Sequence, residues 1–298
     1  HPDTYGKVWK LIKQARVELL QRNPVLDAWI VEILGNNAKH PININSNLKD
    51  RLLYSRKMGV AVTPHKDRFT ACISSQVGCG LSCKFCATGT LKLKRNINAA
   101  EIYDQVFLLN NEAIQKFHKP ISNIVYMGMG EPLLNYNSVL SSINFITSKK
   151  GLAMSPKRIT VSTAGIAKMI SNLGDDQVKF NLALSLHAAN DMKRNEIMKI
   201  NKHNNLNDLK KALKHFHYKT GSRITFEYII FDKFNDNPQD AYELASFAKC
   251  VPCKINIIEY NPIDDGELRQ AKFNKVNQFA EILENKNLIV NIRRSRGK

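Results

Sequence analysis

Residues 78–89 read Gly-Cys-Gly-Leu-Ser-Cys-Lys-Phe-Cys-Ala-Thr-Gly and hold three of the chain's six cysteines, Cys79, Cys83 and Cys86. Three thiolates so close together can hold a compact inorganic centre. Three is an odd number for that work, because a structural zinc is normally closed by four ligands and a [4Fe–4S] cluster normally takes four cysteines. A four-iron cluster on this trio keeps one iron open for a small molecule. Two other readings compete. The cysteines fall at i, i+4 and i+7, the stripe that a helix buries, or they bind zinc. Gly78 and Gly80 disfavour a helix around Cys79, and the loop offers no obvious fourth zinc ligand.

Such a loop needs a scaffold, and the rest of the chain describes one. From about residue 68, apolar β-branched runs (69–74, 121–127, 158–162, 180–186, 223–231 and 253–260) alternate with amphipathic stretches of helical length (100–117, 136–148, 165–173, 190–218, 239–249 and 271–285). A last run, 288–292, closes the pattern. The alternation predicts right-handed crossovers and a parallel sheet buried on both faces. The units are too few for a closed eight-stranded barrel and suit an α/β fold, an open partial (β/α)6 barrel.

Ligands of such sheets collect at the carboxyl ends of the strands, and chemically useful residues stand there. The cysteine loop follows the first run. Met127-Gly128-Met129-Gly130-Glu131-Pro132-Leu133 follows the second, with glycines that admit a ligand to the backbone and a carboxylate that can accept from an ammonium group. Ser162-Thr163-Ala164-Gly165 follows the third, Ser185, Leu186 and His187 the fourth, and Asn261-Pro262 the sixth. Each alone is an ordinary turn or strand-end cap; their agreement is the stronger signal. Cys72 lies inside the first run, where a small buried strand residue is unremarkable. Cys250 and Cys253 form a Cys-Val-Pro-Cys pair, read as strand-start packing ahead of a redox or metal pair.

The chain has 298 residues and a formal net charge of +18, which favours a polyanionic partner such as RNA. Basic clusters lie at Lys92, Lys94 and Arg95; at Lys149, Lys150, Lys157 and Arg158; at Lys210, Lys211, Lys214, His215 and Lys219; and at Arg293, Arg294, Arg296 and Lys298. No apolar run is long enough to span a membrane, and no signal-peptide pattern opens the chain. Clustered cysteines without a secretory signal point to a reducing cytoplasm. Residues 1–50 read as a small helical accessory module, with Val8, Trp9, Leu11, Ile12, Val17, Leu19 and Leu20 at helical spacing and an Asn-rich linker over 36–50. Residues 51–298 form the partial barrel. A start at His1 is read as a trimmed amino-terminal end.

The cysteine spacing, with Phe85 before the last cysteine, resembles the cluster loop of radical S-adenosylmethionine (SAM) enzymes. The phrase running from Thr70 to Gly89, Thr-Ala-Cys-Ile-Ser-Ser-Gln-Val-Gly-Cys…Cys-Lys-Phe-Cys-Ala-Thr-Gly, resembles more narrowly the RlmN/Cfr-type RNA methyltransferases. The resemblance runs from about Val60 to the last residue. It implies a [4Fe–4S] cluster on Cys79, Cys83 and Cys86, and SAM held by Gly130, Glu131, Ser162, Ser185, Leu186, His187 and Asn261. It implies a catalytic Cys72, which acts as a base and then resolves a protein–RNA intermediate by forming a disulfide. The implied activity is radical methylation of adenine C2 in 23S rRNA, and in tRNA, through a methyl-cysteine intermediate. The 130–135 stretch looks closer to the C2 than to the C8 enzymes. Alternatives are adenine C8 methylation, a radical SAM enzyme acting on a small molecule or peptide, and a zinc-bound RNA-binding protein without catalysis. An electron donor such as flavodoxin and a monomeric state are also expected. Chains of this family continue past the Arg-Arg-Ser-Arg-Gly stretch into a loop with a second essential cysteine. This sequence stops at Lys298, so as given it is expected to bind cluster and SAM without methylating RNA.

Overall fold

The computed structural model describes residues 61–65, 68–263 and 266–293. The helical module expected over residues 1–50 lies outside the described residues. Strands β1 (Ala61–His65), β2 (Arg68–Cys72), β5 (Asn123–Tyr126), β6 (Ile159–Thr163), β7 (Asn181–Ser185), β8 (Ile224–Ile230), β9 (Cys253–Glu259) and β10 (Val290–Arg293) form one eight-stranded sheet in that order. β1 runs antiparallel to β2, and every later neighbour pair is parallel. Helices α1 (Ala99–Phe117), α2 (Tyr136–Thr147), α3 (Ala167–Asp175), α4 (Asp191–Ile197), α5 (Leu206–Thr220), α6 (Pro238–Ala248) and α7 (Phe273–Glu284) make the crossovers. The architecture is the expected open α/β partial barrel. A two-stranded ribbon, β3 (Gln76–Val77) with β4 (Arg95–Asn96), lies outside the main sheet.

The sheet is largely buried on both faces, as expected, but only one face is apolar. Register pairs Thr160 with Asn181, Ser185 with Glu227, Glu227 with Asn256 and Asn256 with Asn291, so these polar residues share one face. Val161, Leu182, Leu184, Phe226, Tyr228, Ile255 and Ile257 take the other and pack with Ile102, Val106, Ile143, Leu213, Leu244 and Phe279 of the helices. A half-barrel needs an oily convex face for its helices, whereas its concave face meets ligand. One expectation is corrected, that of 190–218 as a single helix. It is broken into α4 and α5 by a 3-10 segment, Lys199–His203. Asn201 in that break is buried and bonds Asp191 and Asn195, and Asn205 then caps α5 by accepting from the Asn207 and Asp208 amides.

Candidate active site at the carboxyl ends of the strands

The cysteine loop is closed at its base by the β3–β4 ribbon. Gln76 Nε2 donates to Asn96 Oδ1 at 2.8 Å, the Lys94 amide to Val77 O at 2.9 Å, and the Cys79 amide to Leu91 O at 3.4 Å. Gly78 has φ +78°, and a Cβ there would lie 2.1 Å from Lys92 O, so only glycine lets the loop turn this tightly. The loop sits on the strand ends. The Lys84 amide donates to Ile197 O at 3.0 Å. Phe85 packs edge-on against His187 at 4.6 Å and beside Phe231 at 5.8 Å. Leu81, Cys83 and Phe85 cover a small apolar cluster of Ala164, Ile197, Met198, Phe231 and Tyr260.

The three cysteines share one electrostatic environment. Burial first, then the neighbouring Cys86 and Cys79, push the Cys83 thiol up to about 12, against the pull of Arg194. Cys79 is raised by burial and by Cys86, while the Leu81 amide, donating to its Sγ at 3.5 Å, acts the other way. Among the described residues, no three His, Cys, Asp or Glu side chains are drawn together around one metal ion. Three thiols fall one short of the four ligands of a structural zinc, and they feel one another's charge, which suits a cluster held by several thiolates. The Tyr260 hydroxyl at this mouth is buried without a well-formed hydrogen bond, and Cys86 is among the charges that act on it.

The loop after β5 is stitched beneath. The Glu131 amide donates to Gln76 Oε1 at 2.8 Å and the Met129 amide to Ser74 Oγ at 2.9 Å. Asn135 Nδ2 donates to Ser75 O at 2.8 Å and to Ile97 O at 2.6 Å. Gly130 has φ +95°, and a Cβ there would lie 2.5 Å from the Gln76 side chain. Glu131 is buried, and its carboxylate accepts from the Leu133 amide at 3.0 Å and from the Ala164 amide at 2.6 Å. These bonds tie the β5 loop to the end of β6. Burial raises the carboxyl's pKa, and the bonds from Ala164, Thr163 and Leu133 oppose that rise.

Ser162 and Ser185 meet across β6 and β7, with hydroxyls 3.3 Å apart. The Leu186 amide donates to Glu227 O at 3.0 Å. His187 is buried with φ +55°, and its Nδ1 accepts from the Ile229 amide at 3.1 Å, so the neutral ring carries its proton on Nε2. Burial, then Arg194, holds the His187 pKa down to about 3. Asn261 stands apart from this group, exposed one residue beyond Tyr260. Cys72 ends β2 in register with Val125, which is in register with Thr160, and so faces the concave side. Burial pushes its thiol up to about 11, against a backbone hydrogen bond from Met127, so Cys72 holds its proton at neutral pH.

The His187 arrangement gives a pH prediction. The unfolded state takes up a proton below about pH 6.5 and the folded state only near pH 3, so stability falls as pH falls through that window. The loss approaches about 1.4 kcal/mol per pH unit. His187→Asn, whose Oδ1 can replace the Nδ1 acceptor, should flatten this dependence in denaturant titrations between pH 7 and 4. An unchanged slope would contradict the assignment.

Sequence reasoning missed the residue that binds these parts together. Arg194 is fully buried; Nε donates to Leu186 O at 3.1 Å, Nη1 to Asn201 Oδ1 at 2.6 Å, and Nη2 to Ala164 O at 2.5 Å and Ser185 O at 3.3 Å. Desolvation lowers its pKa to about 10, while Cys83 and Asp191 support its charge. Asn235, also missed, bonds His187 O at 2.7 Å and Ile229 O at 2.8 Å. Nothing in the local sequence distinguishes Arg194 from a solvated helix face. All six cysteines are free thiols, so the disulfide implied for Cys72 is not formed here. Cys253 opens β9, and Cys250 and Cys253 both pack against the core, with the Cys253 thiol directed at Ala248 O.

Residues 73–245 match the Radical SAM superfamily. The chain is 62% identical over 295 residues to the probable dual-specificity RNA methyltransferase RlmN of Cytophaga hutchinsonii, a match covering 99% of this chain and 80% of that protein. It is 46% identical over 295 residues to the protein of the same name from Christiangramia forsetii, covering 99% and 82%. Among solved structures, it is similar to a radical SAM methyltransferase from Sphaerobacter thermophilus, with a TM-score of 0.77 and 35% identity over 80% of this chain and 70% of that one.

Proposed function

Because the chain belongs to the radical SAM superfamily and, within it, to the RlmN/Cfr-type RNA methyltransferases, we propose that it methylates adenine C2 in 23S rRNA, and in tRNA, at the open mouth of the partial barrel. The cofactors of this family are a [4Fe–4S] cluster and SAM. Together they supply the one-electron chemistry that an unreactive sp² ring carbon requires. The observation that carries the proposal is the seating of the three-cysteine loop, through Phe85 and Lys84, on the strand ends that bring Ser162, Ser185 and His187 together.

In this reading Cys79, Cys83 and Cys86 hold the cluster. Gly130 keeps the β5 loop close to the ligand. Glu131 accepts from the Leu133 and Ala164 amides and the Thr163 hydroxyl, and its remaining lone pair is left for the SAM ammonium. The Ser162–Ser185 pair and the Nε2–H of His187 offer polar contacts, Leu186 shapes the wall, and Asn261 closes from the rim. Cys72, protonated at rest, accepts a proton from the RNA only after losing its own. The target base must leave its stack to reach the concave face. An electron donor such as flavodoxin and a cytoplasmic location belong to the same reading; no helix among the described residues is long and apolar enough to cross a membrane.

Deleting the gene should remove one methyladenine from 23S rRNA and tRNA, seen as loss of 2-methyladenosine by mass spectrometry of nuclease digests. Loss of 8-methyladenosine instead would reassign the position. No change in either nucleoside would overturn the function.

A further inference from the structure

The cofactor residues occupy the carboxyl ends of the strands, and the opposite end of the barrel has a consistent chemistry of its own. Arg68 opens β2, Lys157 and Arg158 lead into β6, Lys179 leads into β7, Arg223 precedes β8, and Lys254 is the second residue of β9. All but Lys254 are exposed. Among the described residues none of them is ion-paired with a carboxylate; Arg158 donates to Ser122 O at 3.5 Å. At the mouth three cations are paired, Arg95 with Glu101, Lys193 with Asp240 and Lys275 with Asp236 at 2.9, 2.5 and 2.6 Å, whereas Lys92 and Lys94 have no carboxylate partner among the described residues.

Parallel register fixes where these cations stand. Ile124 pairs with Ile159, Thr160 with Asn181, Ala183 with Thr225 and Ile224 with Cys253, so the strand starts line one edge. Adjacent strands lie about 4.8 Å apart. Asn181 Nδ2 donates to Lys157 O at 2.7 Å, which fixes the entry to β6 against that of β7. The Lys254 pKa is lowered by burial first and then by Arg293, with Arg223 and Arg68 adding to it and Glu227 opposing. Helix dipoles do not account for the arrangement. The last turns of α2, α3, α6 and α7 carry no basic residue, so the charge belongs to the strand entries rather than to helix caps.

We propose that this basic foot of the barrel, built by Arg68, Lys157, Arg158, Lys179, Arg223 and Lys254, is a second RNA contact that grips the phosphate backbone on the side away from the catalytic mouth. The proposal rests on RNA being the substrate, and it adds a surface that sequence-independent backbone binding would use. A large folded RNA can reach both ends of the barrel at once, which raises its effective concentration at the mouth without a base-specific contact.

The test uses the whole protein and an RNA hairpin transcript, with affinity measured by fluorescence anisotropy from 50 to 200 mM salt. Lys157→Glu with Lys179→Glu is compared with Lys211→Glu plus Lys214→Glu, an equal charge change on the exposed side of α5. The foot pair should weaken binding at least tenfold and reduce the log–log salt slope by about 1.5 to 2. The α5 pair should leave both within about twofold. Lys157→Gln with Lys179→Gln should give an intermediate loss and guards against a purely repulsive effect. Equal losses from the foot and α5 pairs, or retained affinity in the foot pair, would overturn the proposal. So would foot variants that bind RNA normally but lose binding to vesicles containing an anionic phospholipid. SAM cleavage without RNA, assayed in parallel, should be unchanged by the foot variants. Its absence in the wild type would count against the enzymatic reading and leave the RNA result separately interpretable.

Discussion

Cys83→Ala should abolish the metal centre. Protein purified and reconstituted without oxygen should carry iron and sulfide near background, lack the brown absorbance of the wild type, and cleave no SAM. Cys83 packs under the mouth beside Leu81 and Phe85, and Arg194 favours its thiolate. The substitution removes a sulfur from a loop whose shape is set elsewhere, by the β3–β4 ribbon and Gly78. The fold should therefore survive, and far-UV circular dichroism should match the wild type. A variant that keeps full iron content would show that the cluster is not held here.

Arg194→Met is expected to cost roughly 3–5 kcal/mol of stability, or about 10 °C in Tm at about 2–4 °C per kcal/mol. Two effects oppose each other. Removing a buried guanidinium relieves its desolvation, and exchanging a complete buried polar set for apolar residues can be neutral. Here only the donor is exchanged. Ala164 O and the Asn201 side-chain amide oxygen lose their partner in a buried place, while Leu186 O keeps the Ala188 amide, and each orphaned group costs about 1–3 kcal/mol. The second effect should win. Arg194→Lys keeps the charge but not the fork, and should fall between wild type and Met. A Met variant within about 1 kcal/mol of wild type, by urea titration, would mean that the strand ends are held by other means.

Most of the scaffold was legible in the sequence because its strands are short, apolar and punctuated. The run at 223–231 became Ile224–Ile230, and that at 253–260 became Cys253–Glu259. β1 was not read, and its Pro64 is the kind of residue that marks an edge strand rather than a central one. Burial on both faces was the right inference, since Ala183, Thr225, Glu227 and Asn256 are buried along with the apolar face. What a single strand such as Ile-Thr-Phe-Glu-Tyr-Ile-Ile could not show is that Thr225 and Glu227 line up by register with the polar residues of β7, β9 and β10 into one polar face. The cysteine loop could be read because its chemistry is local. The roles of Arg194, Asn235 and Gln76 could not, because each depends on partners 6 to 55 residues away in chain and adjacent only after folding, as when Gln76 accepts the Glu131 amide.

The central claim is that three sulfurs hold a four-iron cluster with one iron open to SAM. The most direct measurement is electron paramagnetic resonance of the anaerobically purified, dithionite-reduced protein with and without SAM, alongside metal analysis. The account predicts about four iron and four sulfide per chain and a reduced-cluster signal that changes when SAM is added. A colourless protein with one zinc, or a cluster signal indifferent to SAM, would contradict it.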